Sequence, residues 1–301
     1  MLGAETVDYS FIIQQIVFGL TLGCLYSLIA IGYTMVYGVV RLINFAHGDL
    51  LMVAAYIAFF GIVMFHLPWP VVIFISVALT GLLGILIDRG AYKPLRKSPR
   101  ISALITAIGV SFLLENLGLV VIGGRPKTFP PLWSVEKIIR VGDVRIPMLS
   151  VWVVAITAVL LVLVILVVHR SKIGMAMRAL SRDMETVRLM GIDADRVISF
   201  TFVLGSSLAA AGGIMWCMKY PALEPFMGVI PGLKAFVAAV LGGIGSVGGA
   251  AIGGMALGLA EILIVAIEPQ WSGYRDAIAF SILIIILLTR PTGIMGEELP
   301  D

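Results

Sequence analysis

Long apolar runs recur along the whole chain of 301 residues and constrain its fold more than any other feature. In a helix that rises about 1.5 Å per residue, about 20 apolar residues cross a hydrocarbon core of about 30 Å. Hydrophobic residues make up 60% of the sequence and charged residues 13%, against about 45–50% and about 25% in soluble domains. The sequence therefore predicts an all-α, polytopic transmembrane helical bundle. The apolar segments are 12–39, 50–66, 70–87, 101–122, 150–168, 197–218, 233–267 and 274–289.

The seventh segment, 233–267, is too long for one untilted span and contains the stretch LGGIGSVGGAAIGG. We expect two pieces here, one of them broken or re-entrant. The chain then has about eight spans within a single transmembrane domain covering residues 1–301. Gly243 and Gly245 lie in this stretch, and the glycine spacing suits either close helix packing or the lining of a path through the membrane.

Basic residues indicate which loops face the cytoplasm. The loop 169–196 is rich in arginine, and another basic loop lies two spans before it, so both are expected on the same, cytoplasmic side. The intervening loop from Gly123 to Ser150 would lie outside, where its prolines and Trp133 suggest a folded segment. The basic residues of the earlier loop are Arg89, Lys93, Arg96, Lys97 and Arg100.

The stretch RLINFAHGDL, which begins at Arg41, places polar residues between two apolar runs. It is either a cytoplasmic turn or a helix break buried in protein, in which Asp49 would cap the next helix. The break is favoured. His47 suits a packing or hydrogen-bonding role, and metal binding is not expected because neither His66 nor His169 lies at ligand spacing.

Charged residues at membrane depth are costly and therefore informative. Glu115 falls in the middle of an apolar segment, and Lys234 and Glu261 lie in the seventh. Lys234 could pair with either acid. Lining of a transport path and proton coupling are the other interpretations of these carboxylates, and the sequence alone leaves the three open.

The loop 169–196 itself predicts a compact structure. Its apolar residues at helical spacing indicate an amphipathic helix, and Arg178 and Arg182 lie one turn apart on another face. Gly191 is expected in the left-handed conformation, with Asp193 or Asp195 capping the helix that follows. Mixed charge favours docking of a soluble partner over a helix lying on lipid. The apolar residues are Ala176, Leu180, Met184 and Val187.

Four motifs in this order resemble the branched-chain amino acid (leucine/isoleucine/valine) permease family of ABC importers. They are LINFAHGDLLMVAAY, GMAMRALSRDMETVRLMGID, LKAFVAAVLGGIGSVGGAAIGG and RPTGIMG. The resemblance implies a bacterial inner-membrane permease that works with a second permease subunit, two ATP-binding subunits and an external substrate-binding protein. Urea and short-amide permeases are close relatives of that family and remain an alternative.

The resemblance also implies functional residues. The coupling segment that docks on the ATPase would comprise Gly174, Arg178, Ala179, Leu180, Arg182, Asp183, Met184, Gly191, Ile192 and Asp193. The translocation path is expected along Asn44, Phe45, His47, Gly48, Glu115, Gly243 and Gly245. The usual pattern of the coupling loop begins Glu-Ala-Ala, and this chain has Arg178 where that Glu would be, which weakens any role assigned to that position alone.

The energy source must lie outside the chain, because no Gly-x-x-x-x-Gly-Lys-Ser/Thr loop that could cradle ATP phosphates occurs in the sequence. We expect no catalytic residue, cofactor, metal or nucleic-acid partner, and membrane lipid as the surroundings. Two other classes remain possible at this point. A passive channel would need no compact cytoplasmic helix pair, and a proton-coupled transporter would work without ATP.

Overall fold

The computed structural model describes residues 9–96, 98–131 and 137–296, so Lys97 and Trp133 lie outside the described part of the chain. The regular elements of that part are eleven α-helices, three short π- or 3-10-helical turns and four short strands. The helices are α1 Tyr9–Val40, α2 His47–Val63, α3 Trp69–Ile87, α4 Arg100–Ile122, α5 Met148–Arg170, α6 Lys172–Arg182, α7 Met184–Leu189, α8 Ala194–Lys219, α9 Val229–Gly242, α10 Val247–Ile267 and α11 Arg275–Thr289. The strands are β1 Lys127–Thr128, β2 Ile138–Val141, β3 Val144–Pro147 and β4 Ala222–Leu223.

The prediction of a polytopic helical bundle is confirmed. Seven helical segments of the described chain are long and apolar enough to cross a membrane. Two apolar helices are shorter: α2 is about 26 Å long and α9 about 21 Å, at about 1.5 Å per residue. The seventh apolar segment is divided as expected, because α9 ends at Gly242 and α10 begins only at Val247.

Helix α1 forms the centre of the bundle. Of its most apolar stretch 78% is buried, and α8 follows with 72%, whereas α4 and the last span are largely exposed at 17% and 6%. Helices α8, α9 and α10 pack around α1. Small residues permit this packing, since a Cβ on Gly258 would come within 2.2 Å of the Gly23 amide and one on Gly254 within 2.5 Å of the Ser27 amide. Close packing is thus the role of these glycines.

Proline and the connecting loops determine where several helices begin. Pro68, Pro99 and Pro147 directly precede α3, α4 and α5, where a residue without an amide hydrogen costs nothing. Two short antiparallel pairs form in the connecting loops, β1 with β4 and β2 with β3. Phe129 is fully buried there and its ring lies 5.9 Å from that of Trp69. The described part of the loop between Gly123 and Ser150 is therefore folded, as its composition predicted.

Candidate functional site: a helix pair on one face and a broken helix in the bundle

The two basic loops lie on the same face of the bundle, as their spacing predicted. A π-helical turn, Asp88–Tyr92, and a 3-10 turn, Lys93–Leu95, follow α3. Lys93 reaches Asp195 at the start of α8 at 2.7 Å, and Arg96 reaches the same carboxylate at 2.5 Å. Arg96 also contacts the fully buried Asp88 at 2.5 Å, and that carboxylate accepts a hydrogen bond from Ser199 at 2.7 Å. This network joins the first loop to the second.

Helix α6 folds back tightly against the end of α5. Ser171 caps it, because its hydroxyl accepts a hydrogen bond from the Gly174 amide at 2.9 Å. A Cβ at Gly174 would lie 2.1 Å from the Val167 carbonyl oxygen, so only glycine fits this turn. The guanidinium of Arg178 donates to the Val168 carbonyl and further ties α6 to α5.

The amphipathic segment is two helices and not the single helix predicted. Asp183 interrupts it: its backbone is extended, and its side chain caps α7 by accepting from the Glu185 amide at 2.9 Å and the Thr186 amide at 3.2 Å. The Thr186 hydroxyl donates to the same carboxylate, and these hydrogen bonds, the hydroxyl first, hold the pKa of Asp183 below its ordinary value. The break arises because a capping carboxylate competes with helix continuation.

The end of this segment has the predicted geometry. Gly191 has a φ of 78°, the left-handed conformation that glycine adopts without a steric penalty. Of the two candidate caps, Asp193 is the one used, since it accepts from the Arg196 amide at 3.1 Å, while Asp195 is engaged by Lys93 and Arg96. Ile192, which lies between Gly191 and Asp193 in the sequence, is half-buried.

One face of the helix pair is anchored and the other is open. Ala176, Leu180 and Val187 are buried as predicted, while Met184 and Ala179 are only half-buried. Arg178 and Arg182 are exposed. Beyond them, the described surface presents large apolar side chains that sequence periodicity missed: Met175 is 63% exposed, Leu189 88% and Met190 73%. Large exposed apolar side chains on a fixed, capped scaffold are typical of a docking surface.

The stretch RLINFAHGDL is a helix break that starts at the face of the bundle that carries α6 and then enters the bundle. Arg41 ends α1 with a φ of 56°, and its guanidinium donates to the Ser181 carbonyl of α6 at 2.9 Å. Asn44 is buried and accepts a hydrogen bond from the Tyr92 hydroxyl at 3.0 Å. His47 then begins α2, fully inside the protein. The favoured interpretation, a break buried in protein, fits this geometry.

His47 fills a packing position in this break. Its ring centre lies 4.5 Å from that of Tyr33, and a Cβ on Gly32 would come within 2.5 Å of its Nε2 atom. Because Gly32 is eight residues before the end of α1, α2 begins about 12 Å into the bundle from that face. Asn44, Ala46 and His47 are all buried within the protein, and burial in protein is the condition for non-helical chain at membrane depth.

The prediction that Asp49 caps α2 is wrong. The residue before α2 is Ala46, which has no capping side chain, and Asp49 lies within the first turn. Its carboxylate instead accepts a hydrogen bond from Ser111 of α4 at 2.5 Å. Asp49 thus binds a side chain from a distant helix, and not the free backbone amides at the start of α2 that the local pattern predicted.

A cavity of about 170 Å³ opens beside this first turn, between α2, α4 and α9. Three of the predicted path residues, Phe45, Gly48 and Glu115, line it, and Asp49 joins them. Asn44 and His47 are not among the lining residues. The remaining lining residues are Tyr33, Ile108, Ser111, Phe112, Gly228, Val229, Gly232 and Leu233.

Gly243 and Gly245 lie apart from that cavity, in the second break. Their φ angles are 107° and 100°. Ile294 and Met295 pack beside Gly243, since their amides donate to the carbonyls of Leu241 and Gly242 at 3.0 and 2.9 Å. Gly245 lines a second cavity, of about 420 Å³, at the face that carries α6. Arg41, Arg178 and Arg182 also line this second cavity.

Lys234 is paired with Glu261 and not with Glu115. Its Nζ atom lies 3.0 Å from Glu261 and 2.7 Å from Asp276, and Tyr26 donates to Glu261 at 3.3 Å. This network, which is buried except at Asp276, joins α9, α10, α11 and α1. Structural pairing therefore explains one of the two carboxylates that sequence analysis singled out, and leaves Glu115 without a cation among the described residues.

The sequence was compared with known proteins. A family model described as branched-chain amino acid transport system / permease component matches residues 15–287. The high-affinity branched-chain amino acid transport system permease protein LivH of Salmonella typhimurium is 39% identical, with 96% of this chain and 97% of LivH aligned. The corresponding protein BraD of Pseudomonas aeruginosa is 39% identical over 95% of this chain and 96% of its own length. The ribose import permease protein RbsC of Haemophilus influenzae is 25% identical over 86% of this chain and 79% of its own length. No solved structure matches.

Proposed function

Because the chain belongs to the family of branched-chain amino acid transport system permease components, we propose that it is the membrane permease subunit of an ATP-driven importer of leucine, isoleucine and valine. One observation supports this most directly: a capped helix pair with an open apolar and basic face lies beside a helix break that leads into the bundle. A passive channel has no need of the first feature.

The helix pair is the proposed docking element for an ATP-binding subunit. Arg178 and Arg182 give this face positive charge, although the Arg178 guanidinium also donates to the Val168 carbonyl of α5. Asp183 caps α7 where α6 ends. Gly174, Gly191 and Asp193 hold both ends of the segment, so a push on α6 is transmitted to α5 and α8. The remaining coupling residues, Ala179, Leu180, Met184 and Ile192, pack behind this face.

The network of Asp88, Arg96 and Asp195 gives the same motion a second route. It ties the start of α8 to the end of α3, so the two basic loops move as one. ATP binding in the partner would then shift α5, α8 and α3 together and switch the access of the path from one side to the other.

The proposed translocation path runs along the helix break. Phe45, Gly48 and Glu115 line the inner cavity, and Asn44 and His47 hold the break in place. Gly243 and Gly245 form the second break, beside the cavity under α6. Both breaks offer backbone without side chains at a point where a substrate would pass.

The proposed assembly has two permease subunits, two ATP-binding subunits and an external substrate-binding protein, in the cytoplasmic membrane of a bacterium. The whole chain, residues 1–301, is then one permease domain whose loop 169–196 lies inside. Basic residues concentrated on the face of α6 support this orientation.

Co-purification tests the assembly. The permease, produced with the products of its neighbouring genes and extracted in a mild detergent, should bring down a second permease and an ATPase whose hydrolysis responds to the loaded binding protein. A permease that is fully active in transport as a lone homo-oligomer would rule the importer out. Import of urea in place of leucine would move the chain to the urea and short-amide branch.

A further inference from the structure

The first turns of two helices, α2 and α9, meet inside the bundle. Helix α2 begins at His47 and α9 at Val229, and their first turns touch through glycine backbone. A Cβ on Gly48 would lie 2.5 Å from the Gly228 carbonyl oxygen, and one on Gly228 would lie 2.1 Å from that of Gly48. The N-terminal ends of both helices, each carrying a partial positive charge, therefore lie at the same place.

The acids beside this junction have no basic partner. Asp49 is 2% exposed and Glu115 6% exposed, and both line the cavity of about 170 Å³. Asp49 has the Ser111 hydroxyl as a partner, but Glu115 has no hydrogen-bond or ion-pair partner among the described residues. The described residues that line the cavity include no Lys, Arg or His. An acid at this depth without a basic partner is costly, and a cationic group in the cavity would offset that cost for both acids.

The opposite wall of the cavity is suited to an anion. Gly228 and Val229 line it, and the first turn of α9 contains no acidic residue and no capping side chain. The helix acts here through its dipole and not through free amides, because the Val229 amide already donates to the Phe226 carbonyl at 3.1 Å and Pro231 has no amide hydrogen. The positive end of the dipole favours an anion at this wall. The remaining wall is apolar, formed by Ile108, Phe112 and Leu233.

We propose that this cavity, at the junction of α2 and α9, is a transient binding site for the zwitterionic amino acid during its passage. Asp49 and Glu115 bind the ammonium group, the N-terminus of α9 binds the carboxylate, and the apolar wall holds the branched side chain. The proposal rests on the proposed function, and it assigns the chain a substrate contact of its own.

Charge-neutral substitutions test the ammonium contact. In the complete transporter with its binding protein, Glu115→Gln and Asp49→Asn should each lower leucine uptake at least tenfold, because the ammonium loses its partner. Stimulation of ATP hydrolysis by the loaded binding protein should stay within twofold, since docking is untouched. Glu268→Gln is the matched control: Glu268 lies outside the cavity at the end of α10, and uptake should be unchanged.

A second pair of variants tests the carboxylate contact without touching the acids. Val229→Asp places a negative charge in the first turn of α9, where it favours the helix but repels a substrate carboxylate. Val229→Asn introduces a side chain of the same size as that of Asp but without the charge. Uptake by Val229→Asp should fall at least tenfold below that by Val229→Asn, with both proteins inserted equally.

Occupancy is measured by thiol labelling. Ile108, which is 38% exposed and part of the apolar wall, is replaced by Cys. The two native cysteines are buried, so labelling of the parent protein without this Cys gives the background. Millimolar leucine should slow maleimide labelling of this Cys. The analogues 4-methylpentanoate and isoamylamine each lack one charge and should not slow it. In the Glu115→Gln background, leucine should no longer protect the Cys.

The outcomes separate the proposals. Full uptake by both acid variants, or equal protection by leucine and its singly charged analogues, would overturn the zwitterion site. Loss of the second permease from the complex in Glu115→Gln would overturn it too, by placing the acids in a subunit interface. If the parent complex itself imports no leucine, the proposed function fails, whatever the variants do.

Discussion

Replacing Arg96 with Ala should destabilise the protein far more than a loop position suggests. The Arg96 side chain is 7% exposed, and it lies 2.5 Å from a carboxylate of Asp88 that has no exposed surface at all. Removal of the guanidinium leaves that acid buried with only the Ser199 hydroxyl as a partner. An uncompensated buried charge of this kind costs about 3–5 kcal/mol, or roughly a hundred- to several-thousand-fold in the unfolding equilibrium.

Lys93 provides the matched control, because it pairs with the same Asp195 as Arg96 does. Its Nζ atom lies 2.7 Å from that carboxylate, but the two side chains are 49% and 40% exposed. Exposed pairs contribute about 0–1 kcal/mol, so Lys93→Ala should be nearly neutral. Because Lys93→Ala leaves both contacts of Arg96 in place, the additional loss in Arg96→Ala measures the contacts of this guanidinium with Asp88 and Asp195 together.

Reversible unfolding in mixed detergent micelles, followed by helical circular dichroism, gives both free energies. The double variant Arg96→Ala with Asp88→Ala should regain most of the loss, since no buried charge remains. If Arg96→Ala costs no more than Lys93→Ala, or if the double variant is as unstable as the single one, the network does not hold the two loops together.

Three further predictions concern the helix pair. Gly174→Ala places a Cβ against a backbone carbonyl of α5 at 2.1 Å, so it should displace α6 and at least halve ATP-dependent uptake with insertion intact; normal uptake would contradict the fit. Arg178→Glu with Arg182→Glu should uncouple uptake from ATP hydrolysis, and full uptake would exclude the docking role. Because the pKa of Asp183 lies below its ordinary value, its cap is stable above about pH 4 and is lost only as the pH falls through that lower value. A spin label in α7 should gain mobility below about pH 4, not between pH 5 and 8, and Asp183→Asn should remove that change.

Much of the architecture could be predicted because local chemistry determines it. The apolar runs locate the helices, the glycine-rich stretch marks the second break, and Gly191 and Asp193 have short-range roles that depend only on their neighbours. The break at RLINFAHGDL was also visible, since polar residues between two apolar walls have few other solutions.

The failures have a common physical cause, which is a partner distant in sequence. Asp49 was assigned to a helix cap, but Ser111, 62 residues away, donates to it. The pairing of Asp88 with Arg96 cannot be predicted from the sequence, because only the fold buries the acid and brings Asp195 to the same arginine. Single-sequence patterns report neither burial nor the meeting of α2 and α9, on which the cavity depends.

Asp183 shows a different limit. Its spacing within the arginine-rich loop was consistent with one continuous amphipathic helix, and the apolar positions Ala176, Leu180 and Val187 are buried as that helix required. The capping side chain nevertheless divides the segment, because an acid followed by Glu185 and Thr186 satisfies two free amides at once. A cap motif inside an amphipathic pattern is the sequence signal that indicates this break.

The central claim is that this chain forms the path of an importer that moves branched-chain amino acids at the expense of ATP. The direct measurement is uptake of labelled leucine into proteoliposomes that contain the co-purified complex, with the binding protein outside and ATP enclosed. The account predicts accumulation that requires both ATP and the binding protein. Leucine entry that continues without ATP, or that follows a proton gradient alone, would contradict it.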